Sequence, residues 1–521
     1  MTFPWLTALA VLPLLGAVLI GLVKVWSGRL VGLITALVTL ALGAGVAWLQ
    51  AADGAAALAE RVTWLAPLGA AYSLSLDGMG LAMVLLTVVL VPLILIAEWR
   101  TGTGSAGAAE AAEADGPGSG RGSARAFSAL VLLVESCSLF VFLAEDAILF
   151  YVFFEASLIP MYFLIAGFGS DPVKRSAAAV KFLLFGLAGG LVMLFALVGT
   201  GALAAQGGSL TMSLTELADL DLGGSTLSQV VFIGFFVAFA LKAPMVPGHT
   251  WLPQAAAQST GGGAALMVGV LDKLGTFGMV RFCLVLFPQE ARWATPVIIG
   301  LAVLSILYGA FAALGQKDLM RLVAFTSISH FGFMVLGLFT LTTASLTGSI
   351  FYMVNHGLST GALFLLIGYM VRQRGSAEVS AFGGVAKVAP VLAGFTLLAG
   401  LGGLALPGTS SFVSEFMVMA GVWARFNVVA VLAALGTVLA ALYILWTYQR
   451  LMTGPVTDQT AQHFTADLSA RERLAVIPLL FAILALGFFP RPALDLIEPT
   501  SQTIMTEAGV TDLAPIVKGV N

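Results

Sequence analysis

Apolar residues run along this chain in blocks of about twenty, separated by short polar stretches, and not in the alternation of half-buried strands. Windows of about 19 residues predict helices over 3–23, 30–51, 75–98, 126–144, 147–168, 177–204, 228–247, 262–286, 294–314, 321–342, 346–371, 388–422 (interrupted), 426–449 and 472–490, fourteen spans in all. About 20 apolar residues carry a helix across the hydrocarbon, and lipid satisfies neither open strands nor irregular backbone. The expected fold is therefore an all-α polytopic membrane bundle of about fourteen transmembrane helices. The first apolar run starts at Phe3 with no basic stretch ahead of it and no small-residue cleavage pattern behind it, so it reads as a retained helix and not a signal peptide.

Composition agrees. Of 521 residues, 59% are hydrophobic and 10% charged, against about 25% charged in a soluble domain, which excludes a water-soluble globule. A net charge of −3 without a basic cluster excludes a nucleic-acid reader. Cys137 and Cys283, both in apolar runs, exclude a disulfide framework and a metal site built from cysteine alone. Connections after odd-numbered spans carry fifteen basic residues and the opposite side five, with Lys181, Lys242, Lys273 and Arg281 inside spans. The positive-inside rule then puts the odd connections in the cytoplasm and both termini outside. Residues 101–126, rich in Gly, Ala and Ser, read as a flexible cytoplasmic linker, and 453–471, with mixed charge, as a short surface helix.

Two spans are interrupted. Span 7 runs into Ala243-Pro244-Met245-Val246-Pro247-Gly248-His249, and span 12 contains Leu406-Pro407-Gly408-Thr409-Ser410-Ser411. Proline removes a donor and obstructs the preceding turn, and the freed backbone groups need protein or water partners at membrane depth. Broken helices in corresponding positions of two hydrophobic halves are what a transporter of paired repeats shows; a packing kink is the bland alternative.

An ionisable side chain at mid-bilayer costs about 2.5–3.5 kcal/mol on insertion scales. This chain places several there: Glu155, Lys181, Lys242, Lys273, His330, His356 and Glu415, with Glu135 and Asp272 in a second tier. Glu155 and Lys242, on different spans, form a candidate ion pair that couples proton uptake to an outside influence, or else a structural pair. Lys273, too deep for easy snorkelling, is a candidate for proton exchange, and His330 titrates near neutral pH without help. His356 and Glu415 extend the series toward the C-terminal half, giving a hydrated relay. The bland readings are a snorkelling Lys181, hydrogen-bonded core histidines at His330 and His356, a helix-capping Glu415, and a His249 that satisfies the backbone freed by Pro-Gly.

Other chemistry is weak. His330 and His356 have no carboxylate at ligand spacing, so no metal site is expected. Gly261-Gly262-Gly263 precedes a helix, but no Lys-Ser/Thr follows as a phosphate loop requires. Energy must come from an ion gradient or a partner.

The segments LKAPMVPGHTWLPQAAAQSTGGGAALMVGVLDKLGTFGMVRF, AFTSISHFGFM, NHGLSTGALF, GTSSFVSEFMV and FFEASLIPMYFLI resemble the antiporter-like subunits of proton-pumping NADH:quinone oxidoreductase, respiratory complex I, over about 126–450. The resemblance implies two inverted five-helix repeats at 127–290 and 291–450 with discontinuous helices 7 and 12. Around them lie N-terminal helices at 1–100, the 101–126 linker, and a loop, last helix and external tail at 451–521. It puts Glu155, Lys242 and Lys273 on the family's helix-5 glutamate, helix-7 lysine and helix-8 lysine, with His330 on helix 10 and His356 on helix 11. A glutamate at Glu415, where L and N subunits typically have lysine, fits the M type, as does the lack of the long lateral helix of L. It further implies a bacterial-type cell membrane, L and N neighbours in a membrane arm, and NADH, flavin, iron–sulfur clusters and quinone held by other subunits. A cation/proton antiporter or membrane-bound hydrogenase subunit is the alternative, and a non-conducting anchor is disfavoured by its row of buried charges.

Overall fold

The computed structural model describes residues 3–23, 25–54, 58–101, 123–169, 171–208 and 210–510. Most of the expected 101–126 linker and the end of the expected tail lie outside the described residues.

Among the described residues the regular elements are helices except for one hairpin. In order come α1 (Trp5–Leu22), α2 (Gly28–Asp53), β1 (Glu60–Leu65), β2 (Ala70–Leu74), α3 (Gly78–Ala97), α4 (Ala124–Leu143), α5 (Ala147–Ala156), α6 (Leu158–Phe168), α7 (Pro172–Gln206), α8 (Leu214–Ala218) and α9 (Thr226–Lys242). There follow α10 (Leu252–Ala257), α11 (Gly261–Leu266), α12 (Lys273–Gly278), α13 (Pro288–Leu314), α14 (Leu319–Phe339), α15 (Thr343–Arg374), α16 (Val385–Val388), α17 (Pro390–Gly403), α18 (Ser410–Arg425), α19 (Asn427–Met452), α20 (Asp458–His463), α21 (Ala470–Phe488) and α22 (Arg491–Glu507). Among the described residues, 11 helices are long and apolar enough to cross a membrane, or up to 12 if α21 and α22, bent by 71°, make one span. The interrupted spans 7 and 12 appear as shorter helices: α9 and α10 around the first break, α17 and α18 around the second.

Burial ranks the helices. The stretch Gly261–Leu284 and α14 are 100% buried over their apolar windows and α15 94%, whereas α1, α2, α7 and α19 are buried over only 33–39%. The central three elements therefore face protein on every side, while the outer ones turn one side to lipid. Small residues bring backbones close, as is usual where helices meet without a hydrophobic drive from lipid. A Cβ added at Gly309 of α13 would lie 2.6 Å from the Ser329 amide nitrogen of α14, and one at Gly332 of α14 would lie 2.8 Å from the Ala302 carbonyl.

Both breaks close alike. Pro244 leaves the Ala240 carbonyl without its usual donor, and the Met245 amide takes it at 3.0 Å. Beyond α17 the Leu406 amide bonds the Leu401 carbonyl at 3.1 Å across the same five-residue step. The remaining groups find side chains: the Trp251 indole N–H donates to the Leu241 carbonyl, the Ser305 hydroxyl accepts from the Val246 amide, and the Asn355 amide donates to the Ser410 carbonyl.

Three features depart from the expectation. The fifth span, Ala147–Phe168, is continuous but carries a one-residue irregularity at Ser157: Pro160 has no amide to donate to the Ala156 carbonyl, and the Ser157 hydroxyl bonds the Phe154 carbonyl at 2.6 Å. β1 and β2 pair antiparallel in an expected connection. Within the expected tail, α22 buries Ile497, Ser501, Ile504 and Met505 on one face, a pattern too polar overall for a spanning window.

Candidate functional site

The charged residues singled out in the sequence occupy the most buried part of the bundle. Lys273 opens α12 between two π-helical stretches, Met267–Leu271 and Met279–Leu284, and such wide turns are common at functional sites. Its ammonium, with no exposed surface, donates to the Val268 carbonyl at 2.6 Å, meets His356 Nδ1 at 2.6 Å, and stands 4.9 Å from the Phe331 ring centre. His356 packs edge-on against His330 with ring centres 5.2 Å apart. His330 Nε2 is 3.5 Å from the Tyr443 hydroxyl, and its ring lies 5.9 Å from that of Tyr352. Tyr352 donates to Glu415 Oε2 at 3.1 Å, while the Thr437 hydroxyl donates to Glu415 Oε1. Lys273, His356, His330, Tyr352, Tyr443 and Glu415 thus lie in succession across α12, α14, α15, α18 and α19, joined by hydrogen bonds at Lys273–His356, His330–Tyr443 and Tyr352–Glu415 and by ring packing at His356–His330 and His330–Tyr352.

His356 Nε2 has no hydrogen-bond partner among the described residues, whereas a buried polar atom is ordinarily satisfied by protein or water. Glu415 is the sixth residue of α18, past the first turn, and binds side-chain hydroxyls. A capping carboxylate would bind first-turn amides.

A second group lies around Lys242, the last residue of α9. Its ammonium donates to the Ser157 hydroxyl at 3.2 Å and stands 4.6 Å from the centre of the Phe154 ring. Glu155 and Lys242 do not touch within 4.0 Å; the Ser157 hydroxyl is the side chain that meets the ammonium. The two charges still act on one another. Glu155 is half-buried on α5 beside Gly190 of α7, where an added Cβ would lie 2.2 Å from its carboxyl carbon.

The other candidates stand apart. Lys181, half-buried on α7, lies 5.8 Å from the Phe185 ring centre on a groove with Pro172, Ser176 and Leu184. His249 is buried after the first break with its ring centre 4.9 Å from that of Tyr308. Glu135 on α4 is fully buried with both carboxylate oxygens unpartnered. Sequence reasoning missed Ser157, Tyr352, Tyr443 and Thr437. Tyr352, one helical turn before His356, shares its face and had a readable signal; the hydroxyls elsewhere had none.

The family model described as "NADH:quinone oxidoreductase/Mrp antiporter, TM" matches residues 144–440. NADH-quinone oxidoreductase subunit M of Mycobacterium tuberculosis is 43% identical over 537 residues, covering 99% of this chain and 96% of that protein. Subunit M of Rickettsia prowazekii is 32% identical, covering 86% of each. Among solved structures, respiratory complex I from Thermus thermophilus contains a chain with TM-score 0.84 and 29% identity, covering 97% of this chain and 100% of that one. A chain of the Mrp complex from Dietzia sp. shares the fold at TM-score 0.80 and 21% identity over 98% and 100%. The protein is thus a membrane subunit of the antiporter-like class. It belongs to the NADH:quinone oxidoreductase/Mrp antiporter family and, within it, to the M subunits of NADH-quinone oxidoreductase.

Proposed function

We propose that this chain moves protons in the membrane arm of an NADH:quinone oxidoreductase, through the buried run Lys273–His356–His330–Tyr352/Tyr443–Glu415, with Glu155 and Lys242 as the coupling pair. The observation that carries this reading is that these exchangeable side chains follow one another in contact, by hydrogen bond or ring packing, through the most buried part of the bundle. Protonation of Glu155 weakens its hold on the Lys242 charge, and a change at Lys242 is felt at the central Lys273. From Lys273 the proton passes to His356 Nδ1, across to His330, and by a tyrosine hydroxyl to Glu415 beside the second break, where opened helix ends admit water.

In this reading NADH oxidation and quinone reduction, with flavin and iron–sulfur clusters, fall to other subunits, and the redox energy arrives through contacts with neighbours of the L and N type. The two repeats span 127–290 and 291–450, and both termini face outward from a bacterial cell membrane. The family match over 144–440 and the M-subunit relatives support this reading; the fold alone does not carry it. The test uses the whole complex in sealed vesicles. Lys273→Ala and Glu415→Gln are expected to assemble, shown by native gels and copurifying subunits, and to pump poorly on NADH. Normal pumping in both overturns the reading. Reporters fused in the 101–126 connection and after Asn521 are expected on opposite sides of the membrane.

A further inference from the structure

Between the Lys242 group and the run that starts at Lys273 no hydrogen bond is found, yet a fully buried carboxylate stands there unused. Asp272 has no exposed surface, and neither of its carboxylate oxygens has a hydrogen-bond partner. A buried carboxylate left without partners is costly unless it is paired or carries a proton. Its place on the chain is equally particular. It is the single residue between the π-helical stretch Met267–Leu271 and Lys273, where the wide turn resets the helix face.

The charged and titratable groups around it are few. Lys242 comes from α9, Lys273 from its own helix, and α4 brings Cys137 toward Lys242; His356 of α15 is held against Lys273. The charges of both lysines act on Asp272, while Lys242 is acted on by both Glu155 and Asp272. The backbones place the end of α9 against the same element: a Cβ added at Gly275, three residues after Asp272, would lie 2.6 Å from the amide nitrogen of Ala243, the residue after Lys242. Glu155, Lys242, Asp272 and Lys273 therefore alternate acid and base where α9 meets α12.

We propose that Asp272 is the proton carrier between Lys242 and Lys273, which makes the two groups one path; this rests on the proton-translocating reading above. At rest Asp272 carries a proton, as a buried acid without partners requires. Once Lys273 has passed its proton to His356, the Asp272 side chain turns to it; the O–H bond breaks and an N–H bond forms on the Lys273 amine, leaving an ammonium and a carboxylate. When Glu155 takes up a proton, an N–H bond of the Lys242 ammonium breaks and the O–H bond on Asp272 forms again, and Glu155 then gives its proton to the Lys242 amine. Each ion is formed beside its counter-charge, which limits its cost in the hydrocarbon.

Asp272→Asn and Asp272→Glu in the intact complex test this, with Lys273→Ala as control. Asn keeps the size but holds no exchangeable acid, so protons moved per NADH are expected to fall about tenfold or more, while Glu restores most of the loss. In infrared difference spectra on NADH addition, one component of the protonated-carboxyl signal is expected to shift in Asp272→Glu and to be lost in Asp272→Asn while the components of Glu155 and Glu415 remain; a merely structural aspartate contributes no such component. If Asp272→Asn does not assemble, the Glu variant decides alone: a shifted band supports the assignment and an unshifted spectrum overturns it. Normal pumping in Asp272→Asn beside a defective Lys273→Ala sinks the role of Asp272 only. Normal pumping in both sinks the translocation path itself.

Discussion

Lys273 Nζ and His356 Nδ1 lie 2.6 Å apart, both without exposed surface, on elements that face only protein. An ammonium donating to an imidazole nitrogen can hand its proton over without either group moving, and the tautomer of His356 then decides whether the other nitrogen can pass it on. A static charge at this place would need only a cation. Lys273→Arg keeps a cation that does not deprotonate, so it is expected to lose pumping by about tenfold or more, as a proton-transfer role demands. His356→Phe is expected to do the same. Proton uptake by vesicles, normalised to assembled complex, measures both, and an active Lys273→Arg complex returns Lys273 to a structural role.

At the other group the decisive contact is Lys242 to the Ser157 hydroxyl at 3.2 Å. Ser157→Ala removes one hydrogen bond to a charged group, worth about 1.5–3 kcal/mol, and is expected to slow turnover moderately while Lys242→Ala nearly abolishes pumping. Gly190→Ala tests the carboxylate. A Cβ there would fall 2.2 Å from the Glu155 carboxyl carbon, so Glu155 must move, and coupled quinone reduction is expected to fall toward the level of Glu155→Gln. Equal activity of Gly190→Ala and parent would show that the position of Glu155 does not matter.

Charges were readable in the sequence because each is an exception: Lys273 and Glu415 interrupt apolar runs that otherwise tolerate no ion. Their positions in space were not. Nothing in FFEASLIP says that Ser157, rather than Glu155, meets Lys242, since that follows from how α5 and α6 meet at Ser157. Hydroxyls such as Thr437 and Tyr443 are common in membrane helices and acquire meaning only when the bundle sets them against Glu415 and His330. Helix positions followed from hydropathy alone, whereas the hairpin and α22 escaped it because their residues are neither apolar enough nor long enough in sequence to make a window.

The hairpin carries a pH-sensitive latch outside the spans. Arg61 on β1 meets Glu216 of α8 at 2.6 Å. The hydrogen bond from Thr211, then the guanidinium of Arg61, hold the Glu216 carboxyl below its ordinary range. The folded value lies under the unfolded one, so the stabilisation is present above the unfolded value and is lost as pH falls through the lowered one. Both side chains are largely exposed, which limits the contact to about 1 kcal/mol or less. Protection of the β1 amides, the intrinsic exchange rate relative to the observed rate at each pH, is expected to fall in acid in the parent protein; in Glu216→Gln it is expected to be lower at neutral pH and to lose this pH dependence. Unchanged exchange in the variant would show that the hairpin is held by other contacts.

Glu415 is where the proton-carrying and capping accounts rank the same substitutions differently. It receives hydrogen bonds from Tyr352 and Thr437 on one side chain, and a carboxylate so placed can take a proton from the histidine side and release it toward the break. Glu415→Gln keeps size and hydrogen-bonding capacity but not ionisation, so pumping is expected to fall about tenfold or more. Glu415→Asp is expected to retain much of it, and Glu415→Lys some, since a lysine also exchanges protons. If Glu415 only complemented the helix end electrostatically, Gln would be mild and Lys, with charge inverted, severe. Tyr352→Phe removes one donor and is expected to fall between parent and Gln. Measuring vesicle pumping for all four beside assembly on native gels separates the accounts, because only a residue that must ionise makes Gln worse than Lys.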